Sequence, residues 1–353
     1  MTRRLVSSTI MVLLLCGTVG FAQEKISPLS DYMYKRDFPR YEEIKKETDP
    51  QKLAGMLVEL MKDRPINRVL PYIIQDYRTI VVGYLDKKEW DRALSLIEEF
   101  KAVLPTDKAV EDEEIPVGVE EFMQNLRHAR TVMDPLVLSA YYSSGNWTKA
   151  AELQEQLYAA APSIQGVQLL ADIYMRMENF DKYLENAAKI ISEFTISKPE
   201  GFDAAYKTLQ IYRQKNDMPS IIDISRKIMD VYGDRLPEGI AEAQWNPERV
   251  SAFMLFAQEP YQAKDFPKAM ELFERVLKSD PKNGDAWYYI GMCKWNIEGQ
   301  DGAVEPFAKS VVLNGATAAT ARQRLEQIHK AKNKDSLDGL DEILAQAKTD
   351  LGI

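Results

Sequence analysis

Cysteine and histidine are almost missing from this chain, with two of each among 353 residues. The two Cys, like the two His, lie far apart in sequence, which removes a disulfide scaffold and any His/Cys-rich metal centre. Glycine is sparse as well, at 17 residues, and no Gly-rich phosphate loop, HExxH, nucleophile elbow or CxxC occurs. Basic side chains are the minority: 45 Lys and Arg stand against 54 Asp and Glu, giving a net charge of -9. That balance opposes nucleic-acid binding, which needs basic surface to neutralise phosphates. Strict apolar/polar alternation between hairpin turns is also lacking, so strands have no support.

What is present is an apolar fraction of 45%, enough for a real core in one large or two ordinary domains. Residues 1–22 read as a signal peptide: Arg3 and Arg4 form the basic region, Ile10–Cys16 the apolar one, and Gly20-Phe21-Ala22 a cleavage site. Export to the periplasm or outside the cell is therefore expected. An uncleaved N-terminal anchor is the rival reading, and the only membrane association the sequence suggests. Leu13-Leu14-Leu15-Cys16 resembles a lipobox but carries Leu15 where a small residue belongs. Cleavage leaves 43 basic residues against 54 acidic, net -11, and Cys293 as the lone thiol.

Beyond residue 48 the apolar residues recur at helical spacing, as in Leu53, Leu57, Leu60 and Met61 behind an Asp49-Pro50 start. Laying 250–283 on 284–317, an offset of 34 residues, aligns Phe253 with Trp287, Phe256 with Ile290 and Ala257 with Gly291. It also aligns Ala269 with Ala303 and Phe273 with Phe307, and Pro281 closes the first copy. These residues resemble the tetratricopeptide repeat. The resemblance implies an all-α fold, a right-handed superhelical solenoid of antiparallel helix pairs. In that motif the small residues sit where two helices cross closely, and the aromatics fill the gap between hairpins.

Weaker copies share the register at 74–107 (Tyr84, Ala93, Ile97, Pro105), 131–163 (Tyr141, Ala150, Pro162), 164–197 (Leu170, Ala171, Tyr174) and 202–235 (Leu209, Tyr212, Ile221, Ile228). The turns within pairs look alike: Asp86–Trp90, Ser144–Trp147, Met177–Phe180 and Ala263–Phe266 each place an aromatic just before the second helix. The Gly299–Gly302 turn is a less regular fifth. Pro260 predicts a kink in its helix, with Tyr261 taking the repeat's Tyr role one residue late.

The expected organisation is a polar tether at 23–48, degenerate repeats over 49–232 with an acidic insertion at 106–121, and a connector at 233–249. The two best repeats then occupy 250–317, and 318–353 cap the last apolar face. The insertion, with Glu111 to Glu114, reads as a solvated loop.

Chemistry is hard to find. His128 and His329 lack sequence-local partners, and adjacent acids such as Glu98-Glu99 point different ways. Cys293 falls inside a repeat helix, where a buried thiol is expected. Asn146-Trp147-Thr148 matches a glycosylation sequon inside a repeat turn and reads as coincidence. Neither a metal nor a cofactor is expected. The resemblance instead implies a concave groove lined by the first helices, at Asp285, Tyr288, Met292 and Trp295, with Ser251, Met254, Gln258 and Tyr261 before them. Tyr142, Asp172 and Arg176 extend that surface, while Asp285 is also a candidate helix cap. Such a groove suits an extended or helical peptide, although Tyr288 and Trp295 could equally pack against a neighbouring hairpin or the C-terminal cap. The basic and Asn clamp with which members of the family grip C-terminal carboxylates is not found. The function expected is a non-catalytic scaffold for another envelope protein. A glycan- or peptidoglycan-interacting module, or a carbohydrate-active enzyme on a helical scaffold, is the alternative, supported only by Trp and paired acids.

Overall fold

The computed structural model describes residues 26–233 and 235–353, so the segment read as a signal peptide lies outside the described residues. Among those residues the secondary structure is helical throughout, without a strand. The chain divides into two compact units, one up to Ala150 and one from Ala151.

In the first unit, α1 (Asp31–Ile44) and α2 (Pro50–Asp63) form one pair, and α3 (Leu70–Asp86) and α4 (Trp90–Ala102) the next. A short α5 (Asp107–Glu111) and α6 (Val119–Thr131) precede α7 (Asp134–Ser143), while α8 (Trp147–Ala160) runs across the division. The second unit continues with α9 (Ile164–Arg176) and α10 (Phe180–Phe194), then α11 (Pro199–Gln214) and α12 (Met218–Tyr232). Next come α13 (Glu242–Gln262) with α14 (Phe266–Ser279), α15 (Gly284–Glu298) with α16 (Gln300–Leu313), and α17 (Ala318–Lys332) with α18 (Leu340–Leu351). The helices of this unit pack chiefly on their neighbours in sequence, except α18, which rests on α16.

Five turns within pairs share one backbone arrangement. Lys88, Gly145, Glu178, Asn216 and Lys264 all adopt positive φ, between 53° and 77°. The next residue's amide donates to the carbonyl five positions back: Glu89 to Tyr84, Asn146 to Tyr141, Asn179 to Tyr174, Asp217 to Tyr212 and Asp265 to Pro260, all at 2.9–3.0 Å. This left-handed closure satisfies carbonyls that a helix end would leave open. The donor residue then starts the second helix, and the side chains of Asn146, Asn179, Asp217 and Asp265 each accept from the amide three residues on. At Pro260 only the carbonyl is needed, so proline serves there, and α13 continues through it to Gln262.

The 34-residue offset is visible in the helices themselves, since α14 and α16 have equal length and start at 266 and 300. Ala269 and Ala303 are fully buried, as are Phe273 and Phe307. Gly291 has a steric reason: a Cβ there would stand 2.6 Å from the Cδ1 and Cε1 atoms of Phe307.

Three boundaries differ from expectation. Residues 31–44, placed in a polar tether, form α1, in which Met33, Asp37, Tyr41 and Ile44 make one buried stripe. The stripe reads as polar because Asp37 sits in it and Pro39 interrupts the run; Tyr41 donates to Asp76 at 2.5 Å. The acidic insertion is anchored as well: α5 lies within it, and Val110 and Ile115 are buried in the core of the first unit. Finally, the connector at 233–249 overlaps α13, whose Trp245 is 1% exposed and meets Phe202 edge-on at 5.8 Å. One core thus runs through the expected break, and the division falls at Ala150 instead.

Because Phe307 is enclosed, Gly291→Ala is expected to destabilise the chain by about 1–3 kcal/mol through overpacking. Denaturant unfolding followed by far-UV circular dichroism measures this; an unchanged midpoint would contradict the close crossing of α15 and α16.

Candidate partner-binding face

The residues expected to line a groove divide into two groups. On α13 and α15, Met254, Gln258, Tyr261, Tyr288, Met292 and Trp295 are all half-buried. Their rings belong to one connected aromatic path. Tyr261 meets Phe266 at 6.0 Å, Phe273 at 6.4 Å and Tyr289 at 5.3 Å, and Tyr289 stacks on Phe273 at 4.9 Å. Tyr288 lies 5.2 Å from Tyr289 and 5.9 Å from Phe307, and Trp295 lies edge-on to Phe307 at 6.1 Å.

An open groove wall was too generous a picture of these side chains. Tyr288, Met292 and Trp295 pack on the cluster formed by Ala303, Phe307, Ala321, Leu325, Ile328 and Leu340, which joins α15 and α16 to the last two helices. One face of each ring is committed to the core, because α17 needs an apolar surface to rest on. Met254 likewise packs between two clusters, and Gln258 makes only a long bond, 3.4 Å, to the Met254 carbonyl of its own helix.

Asp285 has a different role from either one expected of it. The cap of α15 is Asn283, whose side chain accepts from the Ala286 amide at 2.9 Å. Asp285 instead accepts from the amide and the hydroxyl of Thr317, at 2.9 and 2.8 Å, and so ties the start of α17 to α15. The remaining residues are engaged locally. Tyr142 stands edge-on to Trp147 at 5.1 Å across the α7–α8 turn, and Asp172 and Arg176 form an ion pair at 2.8 Å along α9.

Burial dominates the electrostatics of this face. It pushes the Tyr261 hydroxyl up to about 12 and raises that of Tyr288, with Arg324 pulling both downward. Arg324 is the residue that the repeat positions miss. It projects from α17 with its guanidinium carbon 5.7 Å from the Trp295 ring centroid. Copying the groove positions of α15 onto α17 would select His329 instead. That side chain is buried and its Nε2 lies 2.8 Å from the Asp338 carbonyl, because α17 turns a different register inward. Tyr289 was missed for a similar reason, as it faces the preceding pair.

Catalytic chemistry gains little here. His128 is exposed, and burial pushes the Cys293 thiol up to about 12, which keeps it protonated and unreactive. Among the described residues no group of His, Cys, Asp and Glu could hold a metal ion, and no helix is long and apolar enough to cross a membrane.

The family model described as tetratricopeptide repeat matches residues 254–315, the segment that holds most of the aromatic path. Over that segment the chain is similar to the tetratricopeptide repeat family. Solved structures with similar helix arrangements include the TPR2AB domain of yeast Sti1, in complex with pHSP90, at 13% identity and a TM-score of 0.33, covering 85% of this chain and all of that one. A tetratricopeptide repeat protein from Parabacteroides merdae aligns at 12% identity and a TM-score of 0.29, over 84% of this chain and 99% of that one. The P58(IPK) TPR domain gives 12% and 0.29, over 90% and 98%. No curated protein matches.

Removing the Asp285 carboxylate leaves the Thr317 amide without its acceptor, which costs about 1–3 kcal/mol. Asp285→Ala is expected to speed amide hydrogen exchange in α17 selectively over that in α9 and α10. Uniform exchange across these helices would contradict the tie.

Proposed function

We propose that this chain is a non-catalytic tetratricopeptide-type scaffold that binds a peptide segment of another protein on the first-helix face of α13, α15 and α17. The observation that carries this reading is the convergence of Met254, Tyr261, Tyr288, Met292 and Trp295, each with one side packed and one side available. Aromatics held in this way present area at low entropic cost, and Met adapts to irregular shapes. The mechanism is presentation of a preformed surface, with no covalent step. The basic, apolar and small-residue order of residues 1–22 supports export, so the partner belongs to the periplasm or cell envelope.

Gln258 is the residue to alter, since it is half-buried on this face and its hydrogen bond, at 3.4 Å, goes to the Met254 carbonyl of its own helix. Tagged chain, crosslinked in native envelope fractions, is expected to capture a specific protein. Gln258→Arg should reduce that capture at least about fivefold, the effect of one interface residue worth about 1 kcal/mol. Trp295→Ala should do the same, with helicity checked by circular dichroism. Capture that ignores both changes, or fractionation that leaves the chain in the cytoplasm, would overturn the respective part of this reading.

A further inference from the structure

Arg324 is exposed, and its hydrogen bond to the Gln327 side chain, at 3.4 Å, is weak. Among the described residues it has no carboxylate partner, although the chain carries 54 acidic side chains. Its neighbours on α17 are paired: Arg322 with Glu326 at 2.9 Å, and Lys332 with Asp301. No carboxylate is among the groups that shift Tyr261 and Tyr288; Arg324 is the one charge acting on both. A guanidinium is therefore left over an aromatic wall, with its donor edge not engaged by an acid.

We propose that the partner segment carries an Asp or Glu side chain next to an aromatic residue or methionine, its carboxylate docking on Arg324 and its apolar neighbour on Trp295 and Tyr288. This rests on the first-helix face being the binding surface. The guanidinium is a planar fork that matches a carboxylate with two parallel hydrogen bonds. Half-buried rings beside it exclude water on one side, which strengthens those bonds. The net negative charge of the whole chain does not cancel this preference. At physiological salt, charges beyond about 8 Å are largely screened, so the nearest cation decides what a docked side chain meets. An internal acidic residue is specified because Arg324 is the cation beside Trp295 that also acts on Tyr261 and Tyr288, whereas a chain end bearing its own side-chain acid needs two.

The test is selection of a displayed library of random peptides, fused at their C-termini, on the mature full-length chain. Binders that lose affinity for Gln258→Arg are then synthesised as acid and amide pairs (Asp against Asn, Glu against Gln). Selected sequences are expected to hold an acid beside an aromatic or Met, and the amide version should bind wild type about tenfold more weakly. On Arg324→Gln, acid and amide versions should bind alike, with Arg324→Lys between the two. Binders that depend on Gln258 but ignore both the acid and Arg324→Gln would overturn this proposal and leave the face reading intact. So would binding seen only with a free C-terminal carboxylate. A selection with no Gln258-dependent binder would overturn both.

Discussion

One backbone hydrogen bond recurs in five of the turns where this chain folds back on itself: the amide that starts a second helix donates to the carbonyl five residues earlier. The bond forces the residue before the donor into the left-handed region, which costs about 1 kcal/mol when that residue is Lys, Glu or Asn and little when it is Gly145. The cost is accepted because the same few residues end one helix and cap the next. Antiparallel pairing follows, and pairing fixes which residues lie between helices. Ala269 and Phe273 are buried in this way in the α13–α14 pair; the α15–α16 pair, which turns with the Gly299 amide donating to the Trp295 carbonyl, reaches the same close packing of Gly291 on Phe307.

These turns were also the most legible part of the sequence. Asp86–Trp90, Ser144–Trp147, Met177–Phe180 and Ala263–Phe266 show their aromatic and their polar cap in plain residue types, because local backbone geometry selects local residues. The helix crossings could be read for the same reason, as small residues meet large ones at a fixed offset. Tertiary burial was less visible. The α1 stripe contains Asp37 beside Arg64 and therefore looked solvated, although its Tyr41 is 2% exposed. In α13, Gly and Pro before the helix suggested a break that Trp245 bridges. Neither burial has a signature within a few residues, since the partner lies on another helix.

The proposed binding face shows the same limit. Positions counted from the repeat found Tyr288, Met292 and Trp295, because α15 follows the family register. They gave Asp285 the wrong role and missed Arg324, because both depend on how α17 docks, and α17 has drifted from that register. The face that results is neither a buried core nor an open groove. Each ring packs in part on the cluster under the C-terminal cap and stays in part accessible.

Site-specific photocrosslinking tests the central claim most directly. A photoreactive phenylalanine analogue placed at Gln258, on the first-helix face, is compared with one at Glu271, exposed on the second helix α14. The account predicts a covalent adduct with a partner protein from position 258 and none from position 271. An adduct from position 271 with none from 258 would place the binding surface on the other side of the helix pairs and contradict it.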